Sequence, residues 1–500
     1  MKDIAKILFV VFSVCFVVSC SDDFLETDST KRISEDRITE VQPYNAAIYD
    51  ALISGLYSTM FKEKTGYEYE KETDNPLHDD YGQKSYDIYT DLLSGDMMLG
   101  GYNYRWYKVV ERMTATVNNS DACDYMPWRY YYRIIRSANA IIDGLGGVEK
   151  VPETDKEKWQ LGQALTMRAY CYFYLAYMYS EGFDPDLKIL PIYTSTKDDA
   201  QPLSTVTQVW NLIKSDLETS VELLQGYSRG GIQEVNADVA NGFLAYTYLT
   251  MGEYEKAIAT AQKVIDSYSL IPKDKVAGGD DIPRNAFSYA DGDGAKWIWG
   301  MDLTLNQGLD LVSWWGHVDI FTYSYAMVGD TKLIDLGLYN SIRESDVRKE
   351  QFVDYYKNGK FFPVNKFYHE ARTKGKQREV TSDYIYMRVE EMYLVKAEAE
   401  AFNGNDPDAR ATLLALVKER DSEPDYVNSL AGQDLKDEIY KQWRIEMWGE
   451  GKSYFAMKRN KATITREGHI DLNISIPYND DRLTFDIPYK EIQDNPNISF

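Results

Sequence analysis

Few residues in this 500-residue sequence are placed to do chemistry, and the most informative is a cysteine. Cys20 follows Val17-Val18-Ser19 and precedes Ser21-Asp22-Asp23. Lys2 and Lys6 open the segment, Ile7 to Val18 form an apolar run, and Ser19 is the small residue before a cut. That is the layout of a secretory signal. The run is shorter than the roughly 20 apolar residues a spanning helix takes. A cysteine just after the small residue makes the signal a lipobox. Cleavage is expected to leave Cys20 as the lipidated first residue of the mature chain.

Other candidates for chemistry read as structure. Gly226-Tyr227-Ser228-Arg229-Gly230 fits the G-x-S-x-G nucleophile pattern. That nucleophile needs a strand before it and a helix after it. Here a helical pattern precedes and loop residues come after, so a helix-stop turn is expected. His78, His317, His369 and His469 are not spaced to serve the serine. No His-x-x-x-His or Cys-x-x-Cys pair occurs, so no zinc site is expected. Asp291-Gly292-Asp293-Gly294 lacks the ligand spacing and closing glutamate of a calcium loop, and reads as a turn. Glu390, Glu391, Glu398 and Glu400 share one expected helix. Carboxylates that hydrolyse a glycoside flank its bond across a cleft, roughly 5 to 9.5 Å apart. Neighbours on a repeat helix read instead as a solvated face or as interhelix partners. Glu446 and Glu450, with Arg444, Lys452 and Arg459, are expected to form buried or half-buried ion pairs that fix the last helices. No catalytic residue, metal or cofactor is expected.

Aromatic surface is what the chain has in quantity: 14% of residues, with 41 Tyr and 10 Trp. Tyr and Trp offer an apolar face and a polar edge. They suit helix interfaces, and also ligands that are partly apolar and partly hydroxylated. Trp297 and Trp299 share one face of a strand read over Lys296 to Met301. Trp128, Trp159, Trp210, Trp443 and Trp448 sit on helical stripes. All seven are expected in the core. Trp314 and Trp315 are adjacent in a loop, where two neighbouring side chains do not easily enter one core. At least one is expected to face ligand. Tyr323 from the same loop and Tyr81, Tyr102, Tyr104 and Trp106 from an earlier one join them as candidate ligand-binding residues. Asn103, Asn306 and Asp310 would supply polar contacts. If the two loops meet on one face, they make an aromatic platform.

Helices must hold those loops. Apolar residues recur one turn apart in Ile48-Leu52-Leu56-Met60 and in Trp128-Tyr131-Ile135-Ala138-Ile142-Leu145, and Leu161, Leu165, Tyr172, Leu175 and Tyr179 fall on nearby faces of a third run. Another run joins Val206, Trp210, Ile213, Leu217, Val221 and Leu224, with Ser204 or Thr205 as its N-cap and Gly226 as its stop. Val239 to Met251 and Tyr254 to Ser267 form a helix pair. Ala245, Tyr248, Gly252, Tyr254 and Ala257 stand at the spacing of a tetratricopeptide unit. Met387 to Phe402 and Pro407 to Arg420 form another. The class expected is mainly α: a tetratricopeptide-like repeat scaffold with long aromatic-rich loops and a few short strands. Residues 1–19 read as the signal peptide, 20–44 as a lipidated tether and 45–500 as one domain. Its repeats fall at about 45–61, 127–269 and 383–460, and its ligand-binding loops at about 62–106 and 271–332. The formal charge of -24 disfavours nucleic-acid binding, which needs clustered Lys and Arg. Cys123 and Cys171 either pair or stay as thiols.

Several segments, in order, resemble the SusD/RagB family of surface nutrient-binding lipoproteins. They are the lipobox with Ser21-Asp22-Asp23-Phe24-Leu25, where the acidic residues resemble the surface-export signal of Bacteroidetes lipoproteins; the aromatic helix Arg168 to Leu175; Met387 to Ala399; Arg444 to Arg459; and Ile487-Pro488, Glu491-Ile492 and Asn495-Pro496. Departures lie at Lys452 and Ala456, at Glu181 to Pro185, and at Asn497 to Phe500, and bear on the subfamily. The resemblance implies helical repeats with loops on one face that bind an oligosaccharide, or in some relatives a peptide. It implies a lipid-anchored protein of the outer membrane, facing the cell exterior, that caps a SusC-like TonB-dependent transporter barrel and delivers ligand to it. An architectural lid with little affinity of its own is the alternative from another class, and a secreted glycosidase ranks last.

Overall fold

A computed structural model describes residues 47–498, apart from 283 and 293–295. Cys20, the signal peptide, the tether and Asp293-Gly294 lie outside the described residues. Contacts divide the chain after Tyr49. The unit Met1–Tyr49 is described only by a three-residue piece of helix, and the unit Asp50–Phe500 carries the fold.

The first elements are α1 (Ala47–Thr59), α2 (Gln83–Leu93), β1 (Met97–Leu99) and the short α3 (Lys108–Glu111). Next come the long helices α4 (Ala122–Gly144) and α5 (Asp155–Met178), then β2 (Lys188–Pro191) and β3 (Leu203–Thr205), then α6 (Val206–Leu223), α7 (Ala237–Thr250) and α8 (Tyr254–Ile265). An irregular stretch carries β4 (Trp299–Met301), α9 (Trp315–Val318), α10 (Tyr325–Gly329), β5 (Lys332–Ile334) and α11 (Leu336–Ser341). After it come β6 (Tyr384–Met387), α12 (Val389–Phe402), α13 (Asp406–Lys418), α14 (Gly432–Glu446), α15 (Ser453–Arg459), β7 (Thr463–Thr465), β8 (Ser475–Pro477) and α16 (Tyr489–Asp494).

From α4 to α8 each helix packs on the next. Helix α8 then packs on α12, which carries the layer to α13 and α14. This is the neighbour-on-neighbour stacking of a tetratricopeptide-like scaffold. Local sequence sets the helix ends. Thr205 caps α6 in a capping box with Gln208, which settles the choice between Ser204 and Thr205. Gly252 takes φ 75° in the turn between α7 and α8, a left-handed conformation that glycine adopts without strain. Ala245 of α7 and Ala257 of α8 are both fully buried. Gly226, with φ 76°, stands just beyond α6 as the helix stop, so Ser228 has no strand before it.

Aromatic side chains fill the space between helices. Phe173 of α5 lies edge-on to Trp210, Phe243 and Phe455 at 5.6, 5.8 and 5.3 Å. Trp128, Trp210, Trp297, Trp299, Trp443 and Trp448 are all buried. Trp159 is half-buried. Cys123 and Cys171 are free thiols, and Cys171 is buried in α5.

The carboxylates of α12 are interhelix partners. Glu390, Glu391, Glu398 and Glu400 are all buried. Glu446 and Glu450 are in buried ion pairs, but with partners other than those expected. Arg388 reaches Glu446, Glu450 and Glu390 at 2.6, 2.8 and 3.1 Å. Arg420 reaches Glu446 and Glu390 at 2.8 and 3.0 Å, and Arg348 reaches Glu446 at 3.0 Å. Of the residues expected to serve them, Arg444 pairs with Asp96 and Arg459 with Glu398, while Lys452 donates to the Tyr174 hydroxyl. Burial alone would push the Glu446 carboxyl up. The guanidiniums of Arg420, Arg388 and Arg348 outweigh it and hold it well below the usual carboxylate range.

Each two-stranded sheet among the described residues is antiparallel. The one that bears on the loops is β1 with β5, in register Met97↔Ile334, Met98↔Leu333 and Leu99↔Lys332. Met98 and Leu333 are anchored in a core cluster with Ile320, Phe321, Met327 and Tyr368. No helix among the described residues is long and apolar enough to cross a membrane.

Candidate functional site

The β1–β5 ladder joins the two long loops. Beyond it, the Gly100 N–H donates to the Thr331 carbonyl at 2.7 Å. Asp330 then takes the Tyr104 and Trp106 N–H groups, one on each carboxylate oxygen, both at 3.0 Å. Arg105 between them sits at φ 73°, which turns the backbone so that both amides reach one carboxylate. Gly329 is where the loops touch: a Cβ there would collide with the Tyr104 ring.

This frame gathers aromatic rings from both loops. Tyr104 stacks on Trp106 at 4.9 Å and 18°, and His78 stacks on Trp106 at 4.1 Å and 24°. Tyr325 lies 5.8 Å from Tyr104 at 55°, and Tyr323 lies 6.2 Å from Tyr325. The Arg378 guanidinium stands 4.1 Å over Tyr323. Tyr104 is 44% exposed and Tyr325 46%. Trp106, within its stack, backs Tyr104 rather than offering a free face.

A buried strut lies beneath. His317 donates from Nε2 to the His78 carbonyl at 2.5 Å, and its Nδ1 accepts from Lys332 Nζ at 3.0 Å. Lys332 also donates to the Asp330 carbonyl at 2.7 Å. Burial pushes Lys332 down to about 7, and burial with the nearby Lys332 charge holds His317 well below the usual imidazole value. Burial and the Asp310 charge push Glu63 up to about 7. Rings held on a rigid frame, with amides and charged groups at the rim, can stack on a flat ligand and hydrogen-bond its edge.

The expected residues fall into three groups. Tyr104, Trp106 and Tyr323 belong to the platform. Asn103 is exposed beside them, and Asp310 is exposed and near enough to act on His78. Trp314 and Trp315 do not face ligand: both are buried, edge-on to each other at 4.9 Å, with Phe367 4.7 Å from Trp314. The expectation was that two neighbouring loop side chains do not easily enter one core. Trp314 instead has helical φ and ψ at the start of α9, so the two side chains leave the backbone about 100° apart, and both enter the core. Tyr81 is also buried, its hydroxyl 2.5 Å from that of Tyr107. Tyr102 is turned to α3, with its hydroxyl on Glu111 at 2.5 Å and Lys108 over its ring. Asn306 is exposed on a 3₁₀ turn, Leu305–Gln307, and no contact of its side chain with the platform rings is found among the described residues. Tyr325, His78, Arg378 and Asp330 belong to the site without having been expected from sequence. Only Tyr325 had a local signal: it comes after Ser324, which caps α10 and so leaves Tyr325 at an exposed helix start.

Residues 77–249 match a family model described as starch-binding associating with outer membrane, and residues 345–499 match that of the SusD family. The first match contains Tyr104 and Trp106, whereas Tyr323 and Tyr325 fall between the two. SusD-like protein P2 of Formosa agariphila is 23% identical over 91% of this chain and 90% of its own. A SusD-like carbohydrate binding protein from Bacteroides vulgatus superposes with a TM-score of 0.74 at 23% identity, over 91% of this chain and 97% of that one. A SusD superfamily protein from Bacteroides thetaiotaomicron gives 0.71 at 22%, over 91% and 99%. The two solved structures share this helical fold. The two SusD-type family models together match more than half of the chain, which belongs to the SusD/RagB family.

Proposed function

We propose that the protein is a lipid-anchored, glycan-binding protein of the cell surface. It captures oligosaccharides on the platform and hands them to a SusC-like TonB-dependent outer-membrane transporter, without a catalytic step of its own. The observation that carries the reading is the pair of exposed rings, Tyr104 and Tyr325, held on a frame tied down by Asp330. The family description, starch-binding and outer-membrane association, supports it. A sugar ring stacked on an aromatic buries roughly 100 Å², worth about 2.5 kcal/mol at ~25 cal/mol per Å². Two such stacks, less the ordering cost, give binding in the millimolar to micromolar range, which suits capture and release.

Calorimetry with a panel of oligosaccharides tests it. The double variant Tyr104→Ala/Tyr325→Ala should bind at least tenfold more weakly, about 1.4 kcal/mol, with an unchanged circular dichroism spectrum. Equal affinity in the variant would remove the platform from the reading. For the anchor, Cys20→Ala should move the protein from the membrane fraction to the soluble one; continued palmitate labelling would refute lipidation at that residue.

A further inference from the structure

We infer that the protein carries a second sugar site, selective for an acidic sugar, in the groove between α4 and the segment 193–200. The groove shares no residue with the platform. Its cavity of about 640 Å³ falls in the range of small-molecule sites. The walls are aromatic: Tyr132 and Tyr193 stand nearly perpendicular at 6.0 Å and 84°, and Trp128 lies 4.9 Å from Tyr132. The far side is rigid. Asp143 accepts from Ser195 Oγ at 3.0 Å and from the Thr196 N–H at 2.8 Å. Asp198 accepts the Thr194 and Ser195 N–H groups at 2.7 and 3.0 Å, and the Tyr193 N–H donates to the Tyr172 hydroxyl at 2.7 Å.

The guanidinium of Arg129 sets the selectivity. Arg129, Arg133 and Arg136 recur along one face of α4 and line the groove, in a chain whose net charge is -24. The carboxylates here are Asp198 and Glu491 in the lining, with Asp143 behind Ser195 and Thr196. The first is taken up by backbone amides. The second accepts from Trp128 Nε1 at 3.3 Å and from Asn495 Nδ2 at 2.8 Å. Arg129 is half-buried, and its Nη1 donates to the carbonyls of Thr65 and Tyr67 at 3.2 and 3.1 Å. Those bonds fix the guanidinium plane. Its Nε and Nη2 have no acceptor among the described residues. A fixed guanidinium edge takes a carboxylate or sulfate through two parallel hydrogen bonds. The tyrosine faces take the ring that bears it. The ligand is therefore a uronic acid or sulfated sugar unit. That the ring is a sugar rests on the glycan-capture reading; the anion preference does not.

Calorimetry on the mature chain at low salt, with trigalacturonate, a sulfated chondroitin disaccharide and maltotriose, tests this. One or both acidic probes should bind. Arg129→Gln should weaken that binding at least tenfold, while the platform variant Tyr104→Ala/Tyr325→Ala leaves it within twofold. Tyr193→Ala reads the same groove should Arg129→Gln fail to fold, as judged by its melting curve. The proposal is overturned if neither acidic probe binds, if the groove variants bind them as the wild type does, or if the platform variant abolishes their binding. Loss of maltotriose binding in the platform variant supports capture on the platform whatever the groove does. Unchanged maltotriose affinity there counts against the platform alone.

Discussion

Lys332 shows how one residue under the platform couples its ionisation to the fold. Its partners are a neutral imidazole and a carbonyl, and burial holds it near 7 against 10.5 when unfolded. The unfolded chain therefore binds more protons between pH 7 and 10.5. Lysine's contribution to stability rises with pH over that window and is lost as pH falls towards 7. Lys332→Met removes the titration. Wild type should gain about 3 kcal/mol on the variant between pH 6.5 and 9.5, at 1.36 kcal/mol per unit. Urea unfolding at both pH values measures this, and parallel pH curves would show that Lys332 keeps its charge. Trp314→Ala should cost about 3 to 5 kcal/mol, as for other buried large aromatics, in contrast to exposed Tyr325. A Trp314→Ala variant that melts like wild type would put the ring outside the core.

At the scale of elements, the β1–β5 ladder is what makes a site of two loops. It pairs residues more than 230 positions apart and brings Gly329 against Tyr104. Gly329→Ala should displace the Tyr104 ring, weakening oligosaccharide binding severalfold while far-UV dichroism stays the same. Unchanged near-UV dichroism and affinity would mean that the ring accommodates the methyl group. In the scaffold, Ala257 is fully buried on α8. Ala257→Leu should overpack α7 and α8 and cost roughly 1 to 3 kcal/mol, and an unaltered melting temperature would show spare room at that contact.

Across the whole molecule, Glu446 holds distant segments together. It meets Arg348 from the irregular stretch, Arg388 before α12 and Arg420 after α13. Glu446→Gln leaves three buried guanidiniums short of a counter-charge and should cost about 3 to 5 kcal/mol at neutral pH. The native carboxyl is depressed, so its stabilisation is complete above the unfolded value and is lost as pH falls through the folded one. Wild-type and variant stabilities should thus converge on acidification. A constant gap from pH 7 into the acid range would assign the effect to hydrogen bonding rather than ionisation.

Helices were legible because their signals are local. The stripe from Val206 to Leu224 and the cap at Thr205 need only neighbours three or four residues away. Alanines at 245 and 257 and the glycine at 252 mark a helix pair for the same reason, and the aromatic segment from Arg168 to Leu175 is one of several that in order resemble the family. Exposure of a particular ring is not local. Trp314 and Trp315 are buried because the backbone turns helical there and Phe367 arrives from another segment. Tyr104 and Tyr325 meet because a ladder and one aspartate join loops far apart in sequence. Glu446 finds its arginines across contacts that no periodicity records. Spacing along the chain therefore determined the scaffold, while long-range packing alone decided which aromatics it hides and which it presents.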